Sequence, residues 1–473
     1  MPAERHQINY LAATAIVVGS IIGSGIFMKP ATMAAQLQSP IWLTLVWMVG
    51  GVFSLAGALV FAEIGAMFPS TGGLYVYYRR MFGDFFGFLY GWAGFTVLNT
   101  ASVAAIAFVC AQYLNYFLRL PGLPPETAGS VALHIPFLGT LYPLQNAGVK
   151  LLAVSLVLGL TLLNYLSLKA GSLLQVLSTV LKIVVVALLV FGIFFSGKGD
   201  LQNFVTGTPA PGTLFSGFIA ALTGAFMAYD GWINVTFVAG EMKDPQRNIP
   251  RSLFTGVVIC MFVYLLVNQA YLYVLPVDVM AGSPLVAADA IAVALGATGS
   301  SIVAALIVIC TIGAINGNTM AVCRVTYAMG KDGLFFHWAG REHPRYLTPG
   351  NALWLHGIWG SLLVISGSFD MLADMFTFIA WVAYLFGALG LFLLRFRMPE
   401  HPRPYKAWGY PVLPALFVCF AGFYVVSTVW NDVTGYVSGR TPVINSLLGL
   451  AITALGAPVY GYFIWKKKRY LRL

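Results

Sequence analysis

The chain has 473 residues, 59% hydrophobic and only 9% charged, with a formal net charge of +10. A water-soluble protein carries about 25% charged residues, so this composition excludes a soluble globule. The positive charges gather on no single face, which excludes nucleic-acid binding, and the ten-residue alternation of an outer-membrane barrel is absent.

Many apolar runs reach the roughly 20 residues that a membrane-spanning helix needs. The first begins near Ile8, outruns a signal-peptide core and has no clear cleavage site, so it reads as a retained span. Twelve spans are expected, near 8–36, 41–67, 85–118, 147–166, 171–196, 213–239, 251–275, 300–328, 350–368, 371–395, 409–431 and 443–465. The longest connection, about 119–146, is proline-rich and reads as a surface loop. No soluble domain fits between the spans.

Gly19-Ser20-Ile21-Ile22-Gly23-Ser24-Gly25-Ile26-Phe27 sits inside the first span. Glycine and serine are poor helix formers, so the helix is expected to open there. Opened backbone at membrane depth is tolerated where it lines a polar cavity, and it suits a small ion or zwitterion. A second interruption is expected in the sixth span, where Asp230 and two glycines fall within Thr223–Trp232. Spans one and six would each open a five-span half, and matched breaks point to an inverted-repeat transporter.

Each break offers two kinds of group. N–H groups at the start of the second half-helix carry partial positive charge, so a carboxylate is expected on those of Ser24, Gly25 and Ile26. An ammonium is expected on carbonyls near Ile21 and from Phe226 to Ala228. The two ends of an α-amino acid thus match the two breaks. The plain alternative is that the glycines only let helices pack closely.

Lys182 lies at mid-depth in the fifth span, where an ionisable group is expected to face the protein interior and to function. It either exchanges a proton during transport or stays charged and holds carbonyls of the broken first span. Asp230 either faces a substrate cavity or caps the second half of span six. Glu63 is expected to pair with Arg79 and Arg80 or to serve a helix end, and the role of Lys29 is open. Phe376, Phe378, Trp381 and Tyr384 in the tenth span either gate the cavity or simply pack.

With the N-terminus in the cytoplasm, twenty of the 26 Lys and Arg fall inside, while Arg119, Lys150, Lys198 and Arg440 fall outside and Lys29 and Lys182 lie within spans. This is the positive-inside pattern and places both termini in the cytoplasm. The run from Lys466 to Arg469 is a stop-transfer anchor or a site for anionic membrane lipid. The five cysteines show no metal or disulfide spacing, the six histidines form no metal set, and no phosphate-cradling Gly-Lys-Ser/Thr loop is present. No catalytic cluster converges, so neither an enzyme nor a cofactor is expected. A channel would need a continuous polar pore, which the spans lack; a nutrient sensor remains a rival.

GSIIGSGIF at 19–27, FPSTGGLYVYYRRMFG at 68–83, AYDGWINVTFVAGEMKDPQRNIPRS at 228–252, CRVTYAMGKDG at 323–333 and RPYKAWGYPVLP at 403–414 together resemble the amino acid–polyamine–organocation (APC) superfamily, in its L-type amino-acid transporter branch. The resemblance implies an all-α membrane protein with the LeuT-like fold: repeats over about 8–196 and 213–395, then peripheral helices over about 409–465. It implies substrate contacts at Ile21, Ile22, Gly23, Ser24, Gly25 and Ile26 and at Phe226, Met227, Ala228, Tyr229, Asp230 and Gly231. It matches Lys182 to a lysine that replaces the ion of sodium-coupled cousins, and sets Trp381 near the gating aromatics. Met227 stands where many animal relatives carry an aromatic gate, and Asp230 where several neutral-substrate relatives carry a small residue. Loop 119–146 lacks the cysteine by which the animal branch joins a glycoprotein subunit, so a prokaryotic member without a disulfide-linked heavy chain is expected. The expected activity is sodium-independent exchange of neutral L-amino acids across the cytoplasmic membrane. The rivals are proton-coupled symport and an exchanger that also accepts cationic amino acids.

Overall fold

The computed structural model describes residues 8–70, 72–207, 214–346 and 348–470. Among these, ten helices are long and apolar enough to cross a membrane, or eleven when the bent pair Tyr10–Ile21 and Gly25–Leu37 counts as one span. The remaining expected span, near 350–368, is the 17-residue helix Gly350–Ser366. At about 25 Å it lies at the short limit for crossing a bilayer.

The chain packs as two compact units, one formed within Met1–Met81, Lys182–Leu306 and Trp381–Asn431, the other within Phe82–Leu181, Ile307–Ala380 and Asp432–Leu473. The first unit contains both interrupted spans. The helix Tyr10–Ile21 starts on Asn9, whose side chain accepts from the Ala12 N–H at 2.9 Å. It ends where Ile22 turns to ψ 100°, and the chain resumes as helix at Gly25 after a 42° bend. The sixth span is α-helical over Leu214–Tyr229, turns at Gly231 with φ 105°, and continues as a 3-10 helix over Trp232–Glu241. Only glycine adopts that positive φ without strain.

In the second unit the connection 119–146 is more ordered than a bare loop. It carries a short helix, Pro125–Ser130, and an antiparallel pair, Leu133–Ile135 with Gly139–Leu141. The third span contains a π turn over Gly94–Leu98, whose Thr96 carbonyl accepts from Trp359 Nε1 at 2.8 Å. The eighth helix starts at Val286, well before the expected residue 300, and bends at Gly296 with φ 76°.

Glu63, near the end of the second span (Pro40–Met67), is completely buried. Its partners are not Arg79 and Arg80. Arg395, at the end of the tenth span (Phe369–Arg397), donates two bonds to it at 2.9 and 2.7 Å. The Ala407 N–H donates a third at 2.6 Å, and Arg403 stands 3.5 Å away. Arg79 instead lies over the Tyr75 ring and Arg80 is exposed. A buried carboxylate needs this density of donors. Glu63→Gln leaves Arg395 half-paired, at a cost of about 3 kcal/mol or more. The thermal midpoint of the detergent-solubilised variant should fall clearly; an unchanged midpoint would contradict this structural role.

Candidate functional site

A helix end leaves its last four carbonyls without intrahelical partners, and in hydrocarbon each needs one. At the first break three of those partners are identifiable. Val18 accepts from the Ile22 N–H at 2.9 Å. Gly19 accepts from Lys182 Nζ at 3.0 Å. Ser20 abuts Gly231, where a Cβ would come within 2.7 Å of the Ser20 oxygen. Ile21 accepts from the Tyr264 hydroxyl at 2.7 Å.

Tyr264 lies on the seventh span (Pro245–Val274), is fully buried, and also reaches the Ala228 carbonyl at 2.9 Å. One hydroxyl proton therefore serves two carbonyls, one from each break, and can bond only one at a time. A second tyrosine of the same helix treats a third carbonyl. Pro30 has no N–H to give to the Ile26 carbonyl four residues back, and the Tyr271 hydroxyl stands 3.4 Å from that oxygen.

The two breaks are in contact. A Cβ on Gly25 would lie 2.7 Å from the Ala228 Cα. Ile21, Ile22, Gly23, Ser24, Gly25 and Ile26 thus face the sixth-span segment Phe226, Met227, Ala228, Tyr229, Asp230 and Gly231 within one unit. Ser24 caps the second half-helix by position, but its side chain makes no cap bond, so it leaves the first N–H groups to other partners. The carbonyls expected to hold an ammonium are not bare: those of Ile21 and Ala228 face Tyr264. Each oxygen has a second lone pair, so a further donor can be accommodated. Around this hydroxyl the rings of Trp47, Tyr229 and Tyr264 pack with centroids 5.0 to 5.9 Å apart. Trp47 Nε1, the Tyr229 hydroxyl and Asn268 Oδ1 are buried without a hydrogen-bond partner among the described residues.

Lys182 is buried and donates to the Gly19 carbonyl of the first span. Asp230 caps no helix with its side chain; Gly231 holds the cap position. The Asp230 carboxylate accepts from the Tyr384 hydroxyl at 2.6 Å and also from the Gly231 N–H. Lys29 is buried with its alkyl chain facing Gly224. Trp381 lies over Phe226 with ring centroids 3.8 Å apart, and Tyr424 packs on both rings. Phe378 is buried and makes no ring contact among the described residues. Among the described residues no group of three His, Cys, Asp or Glu could hold a metal ion.

Sequence reasoning missed Tyr264. The signal was present, because a tyrosine deep in an apolar span must find a partner for its hydroxyl. What the sequence does not give is which carbonyls it reaches.

The family model for amino acid permeases matches residues 8–454. The serine/threonine exchanger SteT of Bacillus subtilis is 29% identical over 98% of both chains. The human b(0,+)-type amino acid transporter 1 is 29% identical, over 90% of this chain and 83% of that one. The human large neutral amino acids transporter small subunit 2 is 29% identical, over 97% and 80%. The chain belongs to the amino acid permease family, a family of membrane transporters, in its L-type branch.

The contact at Gly25 gives a direct test. Gly25→Ala adds one methyl where no space exists, and overpacking of this kind costs about 1–3 kcal/mol. The variant should remain monodisperse in detergent yet lose most of its amino-acid uptake in liposomes. Uptake equal to the parent chain would show that the two breaks do not need this contact.

Proposed function

We propose that this amino acid permease exchanges neutral L-amino acids across the cytoplasmic membrane by alternating access, without sodium. The observation that carries this reading is the contact of the two interrupted spans, which brings main-chain donors of one beside main-chain acceptors of both. The substrate carboxylate sits on the N–H groups of Ser24, Gly25 and Ile26, at the positive end of a half-helix. The ammonium joins or replaces the Tyr264 hydroxyl at the carbonyls of Ile21 and of the Phe226–Ala228 segment. Lys182, bonded to Gly19, provides the fixed positive charge that removes the need for a sodium ion. Trp381, tilted over the Phe226 ring, closes the site from one side.

The relatives' names support the substrate class, since they specify serine and threonine exchange or transport of neutral amino acids. Asp230 is engaged by Tyr384, which favours neutral over cationic substrates. On this reading the inverted repeats cover about 8–196 and 213–395, the chain works without a disulfide-linked subunit, and both termini face the cytoplasm, as its positive charges favour.

Counterflow in liposomes tests the proposal. Internal unlabelled serine should drive accumulation of external labelled serine, equally with sodium or choline outside. Lys182→Met keeps the apolar chain and removes the charge; it should cut exchange by ten-fold or more while leaving the protein folded. Absence of counterflow with any neutral amino acid, or its collapse in choline, would refute the proposal.

A further inference from the structure

A cavity of about 860 Å³ in the first unit lies apart from the breaks. It is lined by Tyr10, at the start of the first span, by Arg247 and Arg251 on the seventh span, and by Tyr405 and Trp408 before the eleventh. Among the described residues no acidic side chain lines it.

The two arginines are placed unfavourably as isolated cations. They stand at i and i+4 on one helix face, where like charges repel. Arg247 also occupies the first turn of the helix Pro245–Val274, whose N-terminal dipole disfavours positive charge. Neither makes an ion pair among the described residues, and both are exposed. A bound anion would reverse both penalties.

The surroundings of the cavity identify the anion's carrier. Phe254 lines the cavity and Val258 follows one turn on, and both are exposed. On the other side Trp408 is 76% exposed, and exposed Val412 and Leu416 continue from it along the eleventh span (Val412–Val437). Tryptophan and tyrosine favour the headgroup level of a bilayer. A basic pocket thus opens onto apolar strips that descend along two spans, the pattern of a headgroup site between membrane helices.

We propose that this cavity binds the headgroup of an anionic phospholipid, with the phosphate between Arg247 and Arg251 and the acyl chains along Phe254–Val258 and Val412–Leu416. The shared chemistry is that of a phosphate anion; the apolar strips assign it to lipid rather than to free phosphate.

Native mass spectrometry of the delipidated full-length protein tests this by binding alone, so the outcome stands whether or not the chain exchanges amino acids. Phosphatidylglycerol should be retained at energies that strip phosphatidylcholine of the same chains. The double variant Arg247→Gln, Arg251→Gln should bind phosphatidylglycerol about ten-fold or more weakly, while Arg247→Lys, Arg251→Lys should keep most of the binding, showing that charge rather than folding is at issue. Millimolar inorganic phosphate should not displace the lipid, and removing the C-terminal charges (Lys466→Gln, Lys467→Gln, Lys468→Gln) should leave the tight site intact. Equal retention of the two lipids, undiminished binding by the Gln variant, displacement by phosphate, or loss only with the C-terminal variant would each overturn the proposal.

Discussion

Main-chain polar groups cannot be left unpaired in hydrocarbon, where each costs several kcal/mol. The rest of the first unit follows from that constraint. Two spans are opened by Gly19, Gly23, Gly25 and Gly231, and every opened carbonyl has to be answered. Side chains from other spans answer four of them: Lys182 at Gly19, Tyr264 at Ile21 and Ala228, and Tyr271 at Ile26. The seventh span supplies two of the three and so serves as the scaffold of the breaks.

The partners differ in what they permit. A lysine amine carries its donors on a long flexible stem, so it can follow its carbonyl through a rearrangement. The Tyr264 hydroxyl has one proton for two carbonyls, which makes its bond exchangeable. On the proposed reading, a substrate ammonium would bring three donors to the same oxygens, relieve a shared, under-supplied pair of acceptors and so link occupancy to the geometry of both breaks. The small residues set the distance at which this works, since Gly25 against Ala228 leaves no room for a single added methyl. Aromatic packing then closes around the sixth span, where Phe226, Trp381 and Tyr424 pack on one another.

Much of this was legible in the sequence. The breaks at 22–24 and 230–231 follow from glycine and serine inside apolar runs, and Lys182 stood out as a charge at mid-depth. The side-chain partners were not legible, because they depend on which helices meet. Glu63 shows this best. It was read against Arg79 and Arg80, which are near in sequence, yet it is held by Arg395 and Arg403 from more than 300 residues away. For Asp230, expected as a cap or a cavity acid, the sequence does not give its Tyr384 partner. The strand pair Leu133–Ile135 and Gly139–Leu141 was hidden in a segment whose prolines dominate its local signal, and the early start of the eighth helix was hidden by Gly296.

The central claim is that the apposed breaks are where the amino acid sits. A cryo-electron microscopy map of the protein with L-serine in lipid nanodiscs tests it most directly. The account predicts serine density between Gly25 and Ala228, its carboxylate on the Ser24–Ile26 N–H groups and its ammonium at the Ile21 and Ala228 carbonyls, with the Tyr264 hydroxyl shifted from at least one of them. Serine density lodged elsewhere, with the Tyr264 bonds to both carbonyls undisturbed, would contradict it.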